Sequence, residues 1–400
     1  MKKILILNGS FCEQPIIEKA KEMGLYVVTT GNAPELIGHK YADEYIPCDY
    51  SDKEAVLQLV RDNGIEGIVS CANDFGVITA AYVAEQMGWK GHDTYENAML
   101  IHHKASFKEY CEKHNIPSPK TISFFDKEKA YDYVEGCEYP IIVKANDLTG
   151  GKGIHKAFNA NEAEKAIDIA FEKSRDKHIV IEPYIEGKQQ SIDTYIIDGK
   201  VVSVNSCDCY SYVNPYLIQA ETLPAEGIEN YQDQLVSIIE NMAADLNLED
   251  GIFCLQYIVK DNQPYIIEGM RRIFGNQFTC LLEKITGFPW NEAYIRTALD
   301  MGYDGMKIGE PSDKGYGHYG IMAEQNGTLL DYSVNEELST HVYKEIEMLK
   351  VGDEIEDYLN QRVKYLFYEF DVVREMRELI RNKDSLAKMI VKTGENSNRN

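Results

Sequence analysis

Pro140-Ile-Ile-Val-Lys144-Ala-Asn-Asp-Leu-Thr-Gly150-Gly-Lys-Gly153-Ile-His-Lys156 decides the reading of this chain. An apolar strand carrying a lysine runs into a glycine cluster and out again into a second strand-like segment. The pattern predicts a β-hairpin that clamps phosphate. Glycines without a Cβ let the main chain approach an anion and point several N–H groups at it, and Lys144 adds a compact positive charge. A Walker loop needs Gly-Lys followed by Ser or Thr and then a helix, whereas Lys152 is followed by Gly153 and the strand-like Ile154 to Phe158. Taken alone, the stretch also reads as a glycine-rich turn without a ligand.

Working outward, His103-Lys104-Ala-Ser-Phe107-Lys108 opens a helix with Phe107 and Cys111 on one stripe, stopped by Pro117 and Pro119. Lys104 at its start reads as a solvated charge. Downstream, Asn161 with Glu164 suggests a capped helix whose buried stripe is Ala163, Ala166, Ile167 and Ala170. The segment from His178 through Glu182-Pro-Tyr-Ile185-Glu-Gly187 to Gln189 and Tyr195 predicts strand, connector, strand. Such a connector can offer backbone groups to an adenine edge. Cys254 to Asn276 predicts a hairpin with its turn at Lys260 to Pro264 and with Gln256 and Glu268 at its inner ends. One carboxylate and one amide oxygen suit magnesium shared with nucleotide phosphates. Arg271 and Arg272 follow directly, suited to a developing acyl-phosphate or a carboxylate.

The first hundred residues alternate strands (Ile4 to Leu7, Leu25 to Thr30, Ile65 to Ser70) with helices (Pro15 to Met23, Lys53 to Asp62, Gly76 to Met87). That alternation implies a parallel sheet with helices on both faces. The first turn, Asn8-Gly9-Ser10, lacks the three glycines of a dinucleotide fingerprint. Gly9, Ser10, Asn73 and Asp74 read either as ordinary turns or as substrate contacts beyond the carboxyl ends of the strands.

Four hundred residues with 44% hydrophobic content predict two or three domains. A net charge of −24 leaves no basic stripe for a nucleic acid partner. Nine cysteines contain no Cys-x-x-Cys pair; the nearest spacing, Cys207-Asp-Cys209, puts both on one side of a strand. An opening apolar run of only four residues before Asn8 predicts no signal peptide, and no stretch is long enough for a membrane span. Reduced thiols in a cytoplasmic protein are expected.

The order of motifs resembles the ATP-grasp superfamily: a lysine at a helix start, Pro-Ile-Ile-Val-Lys with its glycine hairpin, Ile-Glu-Pro-Tyr-Ile-Glu-Gly, then Ile-Ile-Glu-Gly-Met-Arg-Arg. The chain is similar to its carboxylate-amine/thiol ligases, such as carbamoyl-phosphate synthase large subunits, phosphoribosylaminoimidazole carboxylase ATPases and glycinamide ribonucleotide transformylase-like enzymes. The resemblance implies an α/β fold. A Rossmann-like pre-ATP-grasp domain at 1–100 would precede a two-lobed α+β ATP-grasp domain at 101–300, with a small lobe at about 120–185 and a large lobe at about 186–300. A small α+β domain would occupy 301–400. It also implies that Lys104 and Lys144 bind ATP phosphates under Gly150, Gly151 and Gly153, that Glu182 and Ile185 meet adenine through main chain, and that Gln189 meets the ribose. Gln256 and Glu268 would ligate magnesium, or manganese in its place, and Arg272 beside Arg271 would stabilise the transferred phosphoryl group. Gln189 stands where the family usually has glutamate, and Met270 replaces an asparagine. The implied chemistry joins a small-molecule carboxylate to an amine through an acyl-phosphate, releasing ADP. A carboxylase or formate-using ligase, and a nucleotide-binding protein impaired in catalysis, are the other readings. A homodimer is expected by analogy.

In the last hundred residues, Gly317 to Met322 reads as an edge strand, Lys350 to Asp357 as a turn into a helix, Phe370 to Lys392 as a helix, and the tail from Lys392 to Asn400 as disordered. Asn205 to Glu226, rich in tyrosine, reads as a loop over the substrate or as plain surface.

Overall fold

The computed structural model describes residues 1–148 and 150–392; the tail expected to be disordered lies, from residue 393 on, outside the described residues. The amino-terminal sheet is parallel, in the order Glu44–Pro47, Tyr26–Gly31, Lys3–Leu7, Gly67–Ser70. Its first strand in that order is half polar and carries no clear sequence signal. Helix Asp74–Met87 begins where the Asn73 side chain accepts from the Phe75 and Gly76 N–H groups, and it ends at the left-handed Gly88.

The small lobe is an antiparallel sheet, Ile122–Phe124, Ile179–Pro183, Ile141–Ala145, Ile154–Ala157, backed by helices Lys127–Val134 and Ala160–Lys173. Val134, Val143, Ala163, Ile167 and Ile181 are part of its core. The predicted stripe of the second helix is buried, but its N-cap is Asn159, which accepts from Glu162 N–H, two residues before the expected Asn161. The capping-box spacing repeats at both positions, and the β-conformation of Asn159 selects the first.

The third sheet has eight strands and crosses residue 300 without a break. Its order is Gln263–Met270, Gly251–Lys260, Lys188–Ile197, Lys200–Tyr210, Ala220–Leu223, Gly315–Ile321, Lys364–Phe370, Val342–Glu347. Strand Gly315–Ile321 is therefore internal, paired on both sides, not an edge. Asn205 to Glu226 is two strands joined by residues 211–219 rather than one loop. Phe370 to Lys392 holds one short helix, Val373–Arg381, and then a strand, Ala387–Lys392. The helical spacing stops after Met376 and Ile380; beyond Asn382 the burial alternates with period two, which is a strand signal. Lys350 to Asp357 is a turn with the two-residue strand Glu354–Ile355, not a helix start.

A single core, including Ile17, Val69, Leu223, Trp290 and Phe367, joins the amino-terminal domain to the large sheet. An isolated bridge between Cys71 and Ile273, with Ala72 N–H donating to Ile273 O at 2.9 Å, fixes the loop after the Gly67–Ser70 strand beside the end of the Gln256–Glu268 hairpin.

Candidate active site

These three of the four sheets meet around one cavity of about 870 Å³, near the upper end of the ~300–1,000 Å³ of small-molecule sites. All the predicted site residues except Gly153 and Arg271 line it.

The small-lobe wall of the cavity follows from strand periodicity. Along Ile141–Ala145, Ile141 and Val143 enter the small-lobe core, so Ile142 and Lys144 face the cavity. The glycine segment does close a hairpin, with strands Ile141–Ala145 and Ile154–Ala157 paired. Gly150, Gly151 and Gly153 have φ of 66°, 75° and 66°, the left-handed region that suits glycine. A Cβ on Gly151 would lie 2.5 Å from Tyr216 O, so the hairpin tip packs directly under the 211–219 connection. Tyr216 Oη accepts from Lys156 N–H at 2.7 Å, and Lys156 Nζ sits 3.5 Å from the Tyr184 ring. Gly153 lies outside the wall and closes the hairpin by accepting from Ala145 N–H at 3.0 Å.

Lys104 is buried, not solvated, and its Nζ donates to Leu148 O at 2.5 Å. Lys144 Nζ donates to Glu182 Oε2 at 2.6 Å, and Thr121 Oγ1 donates to Glu182 Oε1 at 2.8 Å. Lys108, unassigned in the sequence, completes this cluster. Its Nζ donates to Ile266 O at 2.8 Å and Ser118 Oγ at 2.9 Å and lies 3.7 Å from Glu182 Oε1. A usable signal existed: Lys104 and Lys108 are four residues apart, on the stripe that carries Phe107 and Cys111. Burial pushes the Glu182 carboxyl up, but the two ammoniums outweigh it and hold the group at about 2. Burial brings Lys108 down to about 8 against the pull of Glu182. Glu182 is therefore ionised, and its side chain serves the lysines.

Gln256 and Glu268 are cross-strand partners on the large sheet, both facing the cavity. Gln189 Nε2 donates to Gln256 Oε1 at 3.4 Å, and Ile185 and Met270 line the same cavity. One carboxylate and one amide oxygen, turned to the same space as the lysines, fit a hard cation that shares phosphate oxygens.

The two arginines part company. Arg272 reaches the cavity, where its Nε donates to Asp74 Oδ1 at 2.5 Å; His102 Nδ1 lies 3.2 Å from the same oxygen. Burial would raise the Asp74 carboxyl, but Arg272 and His102 hold it well below the usual carboxylate range. Arg271 points away, in a bidentate pair with Asp93 (2.7 and 2.9 Å) that also bonds Ile252 O. Consecutive residues leaving a strand face opposite sides, so only one of the pair could enter the cavity. Of Gly9, Ser10, Asn73 and Asp74, Asp74 alone lines it, beside Phe11, Cys12 and Ala72 from the same turns. Asn73 caps a helix, and the Ser10 N–H and hydroxyl both donate to Glu13 Oε2 at 2.6 Å.

The far end carries no sequence motif. Arg362 donates through its Nη atoms to Asn360 O (3.0 Å) and Ile218 O (3.1 Å), while its buried Nε has no hydrogen-bond partner among the described residues. Tyr365 Oη donates to Asn276 Oδ1 at 2.9 Å. Asp193 is fully buried; burial, reinforced by Glu221, lifts it to about 7.

A parallel four-stranded sheet, a glycine hairpin over two lysines and a Gln–Glu strand pair thus meet at one cavity. Residues 102–214 match the family described as phosphoribosylglycinamide synthetase, ATP-grasp (A) domain. A carbamoyl phosphate synthase large chain from Clostridium acetobutylicum is 25% identical over 282 residues, which is 67% of this chain and 25% of that protein. The chain spans between 25% and 49% of the length of the curated relatives it matches. In fold it is similar to the L-amino acid ligase of Bacillus licheniformis, with TM-score 0.81, 19% identity and coverage of 98% of this chain and 99% of that one. It is also similar to the biotin carboxylase domain of Hydrogenobacter thermophilus 2-oxoglutarate carboxylase, solved with MgADP and bicarbonate, with TM-score 0.75, 21% identity and coverage of 98% and 91%.

Proposed function

We propose that this chain is an ATP-grasp protein, and an ATP- and magnesium-dependent ligase that joins a carboxylate to an amine. The observation that carries the reading is the convergence of Lys104, Lys144, the glycine hairpin, the Gln256–Glu268 pair and Arg272 on one cavity. The terminal phosphoryl group of ATP would pass to a carboxylate oxygen, giving ADP and an acyl-phosphate. An amine nitrogen would then attack the acyl carbon, phosphate would leave, and an amide would form with release of a proton.

Lys104 and Lys144 would hold the phosphates, Lys144 exchanging Glu182 for phosphate oxygen while Lys108 keeps Glu182 neutralised. The hairpin under Tyr216 would exclude water, which would otherwise hydrolyse the acyl-phosphate. Arg272, held in direction by Asp74, would face the transferred group, and the unpartnered Nε of Arg362 supports a carboxylate at the far end. A magnesium ion on Glu268 and Gln256 would neutralise phosphate charge. Such local cations matter in a chain of net charge −24, whose overall field repels nucleotide.

Calorimetric titration of ATP with and without magnesium, repeated on Lys144→Ala, tests the nucleotide site; ADP release from paired carboxylates and amines tests the chemistry. ADP release that depends on bicarbonate or formate alone would favour a carboxylase or formate-using ligase instead. The neutral Gln189 against Gln256, with Met270 beside them, supports a second reading, a nucleotide-binding protein with weakened metal binding. Tight ATP binding without ADP release from any substrate pair would select it.

A further inference from the structure

One row of side chains runs across a single face of the eight-stranded sheet. Register pairs Glu268 with Gln256, Gln256 with Ser191 and Ser191 with Cys207; Cys209, two residues on, pairs with Glu221, and Glu221 with His318. The first part of the row belongs to the nucleotide and metal reading above. The second part, three strands and so roughly 14 Å further on, is used by nothing in that reading.

There Cys207 Sγ and Cys209 Sγ are 3.7 Å apart, and they lie 3.3 and 3.8 Å from Glu221 Oε1. A tetrahedral zinc ion with Zn–S near ~2.3 Å and Zn–O near ~2.0 Å sets its ligands at about 3.8 Å (S to S) and about 3.5 Å (S to O). The triangle already has those edges. The second oxygen of Glu221 is 2.6 Å from His318 Nε2, the kind of outer contact that fixes a ligating carboxylate. Both cysteines are buried and unbridged, and Glu221 forms part of the cavity wall, which leaves one coordination position facing that space.

We propose that Cys207, Cys209 and Glu221 form a three-ligand zinc site at the far end of the cavity, its fourth position open to a water or a substrate donor. Binding releases the two thiol protons, so that two thiolates and one carboxylate face the dication. Two thiolates select a soft or borderline ion over the magnesium suited to Glu268 and Gln256. The Ser191 hydroxyl lies 3.1 Å from Cys207 Sγ and donates to Asp193 Oδ2 at 3.2 Å; turned to the sulfur, it would donate to the thiolate that forms. The site stands independently of the ligase reading.

The test is metal analysis of the full chain purified without chelator and reconstituted with zinc, together with substitution by cobalt(II). Stoichiometric zinc is expected, with a thiolate-to-cobalt charge-transfer band and intense tetrahedral d–d bands. Both should be lost in the Cys207→Ser/Cys209→Ser double variant and retained in Glu268→Gln. Zinc should also shield Cys207 and Cys209 of the wild type from alkylation mapped by mass spectrometry, a readout that does not depend on a variant folding. Wild-type protein that takes up no stoichiometric zinc, a cobalt spectrum unchanged by the double substitution, or alkylation at both cysteines unaffected by zinc would each overturn the proposal.

Discussion

The two ends of the cavity are built in different ways. The clamp end comes from short, contiguous stretches: a strand carrying Lys144, a glycine turn, a strand carrying Glu182. Its charges are buried and already paired, Lys144 and Lys108 with Glu182. The far end is gathered from residues 193 to 365, on strands adjacent in space but distant in sequence, and among the described residues its Arg362 Nε and His318 Nδ1 have no hydrogen-bond partner. The clamp is thus organised for a ligand of fixed chemistry, whereas the far end has polar capacity left over for a ligand of its own.

The comparison breaks most readily at Glu182. Glu182→Gln leaves two buried ammoniums without their counter-ion, and losing one member of a buried ion pair costs about 3–5 kcal/mol. Urea unfolding at pH 7 should report a loss in that range. The pH dependence follows from the same group. With its folded value near 2 and its ordinary value near 4.5, the Glu182 contribution is fully present above about pH 4.5 and disappears as pH falls toward 2. The wild type should therefore lose about 3 kcal/mol of stability over that interval in excess of the variant. Lys108, lowered to about 8, works in the opposite window: its unfavourable burial is relieved as pH rises from about 8 toward 10.5.

Lys144→Ala separates stability from ligand binding. Lys108 still neutralises Glu182, so unfolding should change less than in Glu182→Gln. Nucleotide affinity measured by calorimetry should fall about 10- to 150-fold, the value of one charge-assisted hydrogen bond of about 1.5–3 kcal/mol. An unchanged affinity would remove Lys144 from the site.

The glycines sharpen the same contrast within one turn. Gly151→Ala adds a left-handed alanine and a Cβ 2.5 Å from Tyr216 O, while Gly150→Ala meets nothing within 4 Å. Both carry the left-handed penalty of about 1–2 kcal/mol. Gly151→Ala alone should also push the 211–219 connection off the hairpin, seen as faster proteolysis there. At the far end, Arg362→Ala should raise the KM for the carboxylate about tenfold, the loss of one charged hydrogen bond of about 1.5 kcal/mol, with ATP affinity unchanged.

How much of this was legible in the sequence follows the same division. Period two gave the clamp strand and placed Gln256 opposite Glu268, because both features sit within a hairpin whose partners are local. It also put Cys207 and Cys209 on one side of a strand, as their 3.7 Å separation bears out. Lys108 is less legible: its four-residue spacing from Lys104 on the apolar stripe is a local signal, but the partner that explains its burial, Glu182, is met only in the tertiary fold. Arg362 carries no motif, and its place depends on strand Lys364–Phe370 joining the large sheet, a pairing of high sequence separation. The carboxyl-terminal misreadings share that origin: Gly315–Ile321 resembles an edge strand until residues 364–370 cover it.

The smallest effect concerns Met270 and Gln189, where the clamp end departs from its own logic. A thioether cannot ligate magnesium usefully, and Gln189 donates to the amide oxygen that a cation at Gln256 would need. Met270→Asn adds an oxygen donor at the cavity wall, and Gln189→Glu removes the competing N–H and adds a negative charge near the ion. Each should tighten magnesium-dependent ATP binding by a few-fold, and the pair together by more than either alone, because both act on one coordination sphere. Met270 is 7% exposed, so the polar replacement should lower stability slightly unless magnesium is present. A thermal melt with and without the ion reads that difference directly. Stabilisation by magnesium in Met270→Asn but not in the wild type would mean that the present residue holds the metal site weak; equal stabilisation of both would mean that Glu268 and Gln256 suffice.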